Sequence, residues 1–164
     1  EQELMQALMS RNALQEDDAK LVAHLSGGSY VAACKQLQID EDRALFFDMF
    51  VLLMRLSYMR KIKDMYEWAN RVSEWGRERQ KQFLDYCQRL VRENFICNFQ
   101  QSELNYMSRQ EADFAVRFAR FINERNVIGI MDELSAARRD IGQNVNPRMV
   151  FFDFALKMIV LLIQ

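Results

Sequence analysis

Proline and glycine are scarce in this chain, with one and five among 164 residues. An all-β chain of this length needs many more turn residues, so the shortage favours helices. Histidine occurs once, at His24. Metal sites need clustered ligands, and a Ser-His-Asp or Cys-His arrangement would have to use this one imidazole. His24 therefore reads as a surface or helix-end side chain, and no metal or cofactor is expected. The three cysteines, Cys34, Cys87 and Cys97, are odd in number and lack C-x-x-C spacing. That argues against a disulfide framework or a zinc site and for a reducing cytosol. All three sit on apolar stripes and read as small core hydrophobes.

No charge of one sign dominates either. The 22 basic and 23 acidic residues leave a net charge of −1, so no broad field draws DNA or an acidic membrane. The pairs Arg60-Lys61 and Arg138-Arg139 are short and interleaved with acids. Acid pairs such as Asp17-Asp18 and Glu41-Asp42 read as solvated helix starts. No Walker-type phosphate loop is present. Gly27-Gly28-Ser29 opens a helix but lacks the lysine and the preceding strand that nucleotide binding needs. The start, Glu1-Gln2-Glu3-Leu4, has no signal-peptide core and no initiator Met, so the chain reads as part of a longer protein.

Apolar mass is abundant. Half the residues are hydrophobic, including 12 Phe, 10 Met, 5 Tyr and 2 Trp, ample for a packed core. Leu4, Met5 and Leu8 start a helical pattern that breaks at Arg11-Asn12-Ala13. A short helix is expected from about Gln15 to Leu25, acidic in its first turn and closed by Gly27-Gly28. Ser29 caps another, to about Gln38. One long helix follows from Asp40 to Arg60, then Ile62 to Trp75 with Met65, Trp68, Ala69 and Val72 on one side. Gly76 permits a break. Arg77 to Phe99 carries the stripe Phe83, Tyr86, Cys87, Leu90, Val91 and Phe95.

Gln100 to Met107 reads as a loop. Ser108 with Glu111 fits a capping box, opening a helix expected to reach Arg125 with Phe114, Ala115, Phe118, Phe121 and Ile122 inward. Asn126 caps a further helix to about Asp140. Gly142 to Asn146 turns the chain, and Pro147 suits the first position of the last helix. That helix, Val150 to Ile163, is apolar on every face except Asp153 and Lys157. A membrane span needs roughly 20 such residues, so this helix is expected to be buried in protein. The fold class is all-α, a helical bundle.

Two stretches carry a resemblance. Glu16 to Ser29 has an acidic helix start, an Ala-containing helix and a Gly-Ser turn, and resembles the lid helices of AAA+ clamp-loader subunits. Asn144 to Leu156 has an Asn-containing turn before a strongly apolar helix. It resembles the last helix of the delta-prime clamp-loader subunits of bacterial DNA polymerase III. The resemblance implies that residues 1–38 end an AAA+ lid and residues 40–164 form a helical collar, the domain that closes clamp-loader subunits into a ring. The ATP-binding region would lie upstream. One departure is informative: where ATP-binding subunits place a nucleotide-sensing arginine, this chain has Val31, which cannot hold phosphate.

The expectation is thus a non-catalytic, cytoplasmic assembly module of the replication machinery. Its partners would be other clamp-loader subunits, with no membrane or direct nucleic-acid contact. Candidate interface residues are Phe151, Phe154, Met158, Leu161 and Leu162 on the last helix. The alternatives are a delta-subunit collar and a helical adaptor that takes a partner in an apolar groove.

Overall fold

The computed structural model describes residues 2–12, 16, 19–20, 24, 42–99 and 107–164. These form seven α-helices and, among the described residues, no strand. Helix α1 spans Gln2–Asn12, α2 Arg43–Met59, α3 Ile62–Ser73, α4 Arg77–Cys97, α5 Arg109–Phe118, α6 Val127–Gly142 and α7 Pro147–Leu162. The expected turn at Gly27-Gly28-Ser29, the valine at position 31 and the loop at 100–106 lie outside the described residues, as does Cys34.

Local sequence explains most boundaries. The Ser108 hydroxyl accepts from the Glu111 N–H, and the Glu111 carboxylate accepts from the Ser108 N–H, so the capping box opens α5 as expected. Pro147 is the first residue of α7, and the Asn146 side chain accepts from the N–H groups of Arg148 and Met149. Helix α2 ends at Arg60, which takes the left-handed conformation (φ 56°, ψ 40°) and turns the chain into α3. Glycine normally holds this position because it has no Cβ to clash.

The helix after Ser108 stops earlier than its apolar pattern suggests. Helix α5 ends at Phe118, a 3₁₀ turn covers Ala119–Phe121, and Ile122 is extended. The reason is tertiary. Asn98, just past the end of α4, donates its amide to the carbonyls of Ala119 (2.9 Å) and Ile122 (2.6 Å). Asn123 and Asn126 take up neighbouring backbone groups in the same turn. Those carbonyls and N–H groups are bound outside an α-helical ladder.

Helix α7 is the hub. It packs on α2, α3 and α6, while α6 also packs on α4. Helices α4 and α6 run antiparallel, because Asp85 meets Arg138 (2.7 Å) and Gln88 meets Ser135 (2.9 Å). Helices α6 and α7 are also antiparallel, with Glu133 beside Lys157 (3.2 Å) and Asn126 beside Leu161 (3.0 Å). Where they cross, a Cβ built on Gly129 would lie 2.9 Å from Leu161 Cδ2, so glycine permits the close approach.

The core is aromatic. Trp68, Phe83 and Phe151 share edges and tilted faces at ring-centroid distances of 6.0–6.3 Å, and Phe46 joins at 5.5 Å from Phe83. All four are buried. The indole N–H of Trp68 donates to the Met49 carbonyl at 3.0 Å, which satisfies its one buried polar group. The stripe Met65, Trp68, Ala69 and Val72 faces inward, as its spacing predicts. Burying each large side chain contributes roughly 1.5–3 kcal/mol.

Candidate functional site

The last helix was expected to serve as both core and interface. Phe151, Phe154, Met158 and Leu162 are buried inside the bundle, and Leu161 is half-buried against α6. The structure brings four of these residues together as core packing, while Leu161 keeps part of its surface in water. A helix apolar on all sides gives no orientation signal, and here α2, α3 and α6 fix which face turns inward. Met149, Val160 and Ile163 point outward instead, each more than half exposed.

Val160 and Ile163 have company. The α3 rings pair with α7 in antiparallel order, Tyr66 with Phe152 (5.4 Å) and Trp68 with Phe151 (6.0 Å). The start of α3 therefore faces the same way as the end of α7. The start of α6 lies beside that end, because Asn126 and Gly129 meet Leu161. Ile62 at the start of α3 and Ile128 at the start of α6 are each more than half exposed, and Met59 close to half. Five apolar side chains, each within about two turns of a helix end, are thus left in water. Sequence periodicity alone did not find Met59, Ile62 and Ile128. Their signal is an apolar residue within a turn of a helix end, where an inward stripe overshoots its neighbours.

A buried ionic knot holds the opposite flank. The Glu111 carboxylate accepts from Arg43 of α2 (2.6 Å) and Arg89 of α4 (2.8 Å), with its side chain almost wholly buried. Burial pushes this carboxyl up. The guanidinium groups of Arg89 and Arg43, with hydrogen bonds from Arg43 and Ser108, outweigh that and hold it below the usual glutamate range. Arg89 also lies over the Tyr86 ring at 5.2 Å. Burial, then the nearby Glu111 charge, raise the Tyr86 hydroxyl far above its ordinary value. The Cys87 thiol is raised by burial as well. These shifts keep Glu111 charged and the Tyr86 and Cys87 side chains neutral at ordinary pH, and the knot ties three helices.

Other polar groups in the core are also structural. Gln80, at the start of α4, donates its amide to the carbonyls of Val72, Ser73 and Trp75 at 3.0, 3.3 and 2.8 Å, covering the open end of α3. His24 is half-buried. Among the described residues, no three His, Cys, Asp or Glu side chains gather in a way that could hold a metal ion. No helix among them is long and apolar enough to cross a membrane. No protein-family model, curated protein or solved structure matches this chain.

Proposed function

We propose that residues from about 40 onward form the collar of a clamp-loader subunit of the delta-prime kind. On this reading the chain is a structural, non-catalytic part of the DNA replication machinery. It works in the cytoplasm by helix–helix association with other clamp-loader subunits, and ATP and DNA are handled elsewhere in the assembly. The observation that supports it is the exposure of the apolar side chains Met59, Ile62, Ile128, Val160 and Ile163 near helix ends. Apolar side chains gathered on an outer surface mark places where another protein packs. The resemblance of Glu16 to Ser29 to a AAA+ lid, and of Asn144 to Leu156 to a delta-prime final helix, supplies the kind of neighbour.

The test is reconstitution with the other clamp-loader subunits of the same cell, read by size-exclusion chromatography. The parent subunit is expected to enter the complex. A variant carrying Val160→Glu and Ile163→Glu is expected to keep its helical circular dichroism but to stay outside it. Unchanged assembly by that folded variant, or no assembly by the parent subunit, would sink the proposal.

A further inference from the structure

A cleft of about 300 Å³ opens between α2 and the α5–3₁₀ segment, away from the ionic knot. Phe114, Phe118 and Phe121 line one side, Met54 and Tyr58 the other, and Leu162 closes one end. Three arginines, Arg55, Arg117 and Arg120, stand around it. All three are exposed. Among the described residues none of them forms an ion pair with a carboxylate. The Arg120 guanidinium lies over the Phe121 ring at 4.9 Å, which places its charge at the edge of the apolar floor.

We infer that this cleft binds an acidic, apolar peptide segment of a partner protein, one or two aliphatic or aromatic side chains entering it while flanking carboxylates meet the arginines. The inference goes beyond the collar proposal and does not depend on it. Charge complementarity chooses the partner. An apolar slot ringed by three arginines that pair with no carboxylate among the described residues, in a chain of net charge −1, is a local positive site and not part of a general field. Arginine offers paired N–H donors that match a carboxylate. The volume decides the scale. At about 300 Å³ the cleft is at the bottom of the range for whole small molecules, a size that suits one or two anchor side chains of a longer segment.

A nucleic acid would also value arginine and aromatic rings, but it needs free ring faces for base stacking. Those faces are used here. Phe114 and Phe118 stack on each other, with centroids 4.8 Å apart and planes 20° apart. Phe121 carries Arg120 on one face and takes Tyr58 edge-on at 5.4 Å. Tyr58 alone keeps an exposed ring, and one ring gives no platform for successive bases, whereas ring edges and the Met54 side chain suit Leu, Ile or Phe.

The experiment uses this chain and a fluorescein-labelled peptide with Leu and Phe at helical spacing and Asp or Glu elsewhere, read by anisotropy. Two controls replace its acids by Lys or its apolar residues by Ala. The acidic apolar peptide is expected to bind, and both controls to bind at least about tenfold more weakly. Added salt should weaken the complex. The variant R55E/R117E/R120E changes only exposed side chains and is expected to weaken binding by about tenfold or more, since each exposed pair contributes modestly. The milder R55Q/R117Q pair gives the same direction at smaller amplitude, should the triple variant fold poorly. Equal binding by the lysine peptide, unchanged affinity in both arginine variants, or no binding at all would overturn the inference. So would displacement by oligothymidine, which would mark a nucleic-acid site. A concentration-dependent dimer that either arginine variant dissociates would also overturn it, by making a second copy the occupant. The Val160→Glu and Ile163→Glu substitutions lie outside the cleft lining, so assembly and peptide binding fail separately.

Discussion

The Asn126 amide donates to the Leu161 carbonyl at 3.0 Å, and so fastens the start of α6 to the end of α7. The same amide donates to the Phe121 carbonyl (2.7 Å), and its side-chain oxygen accepts from the Asn123 N–H (2.9 Å). The residue is fully buried. Asn126→Ala removes the side-chain partner of the Phe121 carbonyl and the Asn123 N–H, while the Leu161 carbonyl keeps the Gln164 N–H at 3.3 Å. The expected loss is about 2 kcal/mol or more, measured by urea denaturation. A loss below about 0.5 kcal/mol would show that water or a local shift replaces the carboxamide.

Glu111 predicts a pH dependence. Its carboxyl is held below its unfolded value, so the unfolded chain takes up this proton first as pH falls. The stabilisation is fully present above the unfolded glutamate pKa of about 4.3 and is lost as pH drops through the lower folded value. Glu111→Gln removes the carboxylate charge that the part-buried Arg43 and Arg89 share. It should cost about 3 kcal/mol at neutral pH. The gap between wild type and variant should narrow below about pH 4. Denaturation curves across the acid range check both statements, and a gap independent of pH would contradict them.

Gly129 and Leu161 predict a coupled pair. Alanine favours a helix interior over glycine by about 1 kcal/mol. Here its Cβ would meet Leu161 Cδ2 at 2.9 Å, so the leucine must turn aside. Gly129→Ala is therefore expected to gain less in the wild type than in a Leu161→Ala background. There the full advantage of about 1 kcal/mol should appear. A double-mutant cycle by thermal or chemical denaturation reads the difference, and additive effects would show that the leucine end moves freely.

Arg60 holds a left-handed conformation that costs a residue with a Cβ about 1–2 kcal/mol. Arg60→Gly removes that cost but enlarges the freedom of the unfolded chain. The net expectation is a gain of about 0.5–1 kcal/mol, visible as a raised denaturation midpoint. A drop in the midpoint would mean that the arginine stem contributes more packing than its exposure suggests.

Local features of the fold were legible in the sequence. The spacing of Ser108 and Glu111 announced the α5 cap, and Asn146-Pro147 the start of α7. The stripe Met65, Trp68, Ala69 and Val72 named the buried face of α3. Remote partners were not legible. Phe118, Phe121 and Ile122 continue a helical pattern, and it takes Asn98 of another segment to end it. Four of the five residues chosen on α7 as an interface are core, and Leu161 is half-buried, because an all-apolar helix has no face until its neighbours are placed. Glu111 read only as a capping residue, while its larger role needs Arg43 and Arg89, brought from two other helices.

The central place of α7 also sets the order in which the chain can fold. Helices α2 and α3 are joined by a tight turn, as are α6 and α7, so each pair forms a hairpin by short-range search. The core that contains Trp68 and Phe151 exists only once one hairpin docks on the other, across the whole of α4 and α5. Closing that long loop is the entropically slow event. Until it happens, both hairpins expose the aromatic faces that later meet, and this is the interval in which the chain is most open to aggregation.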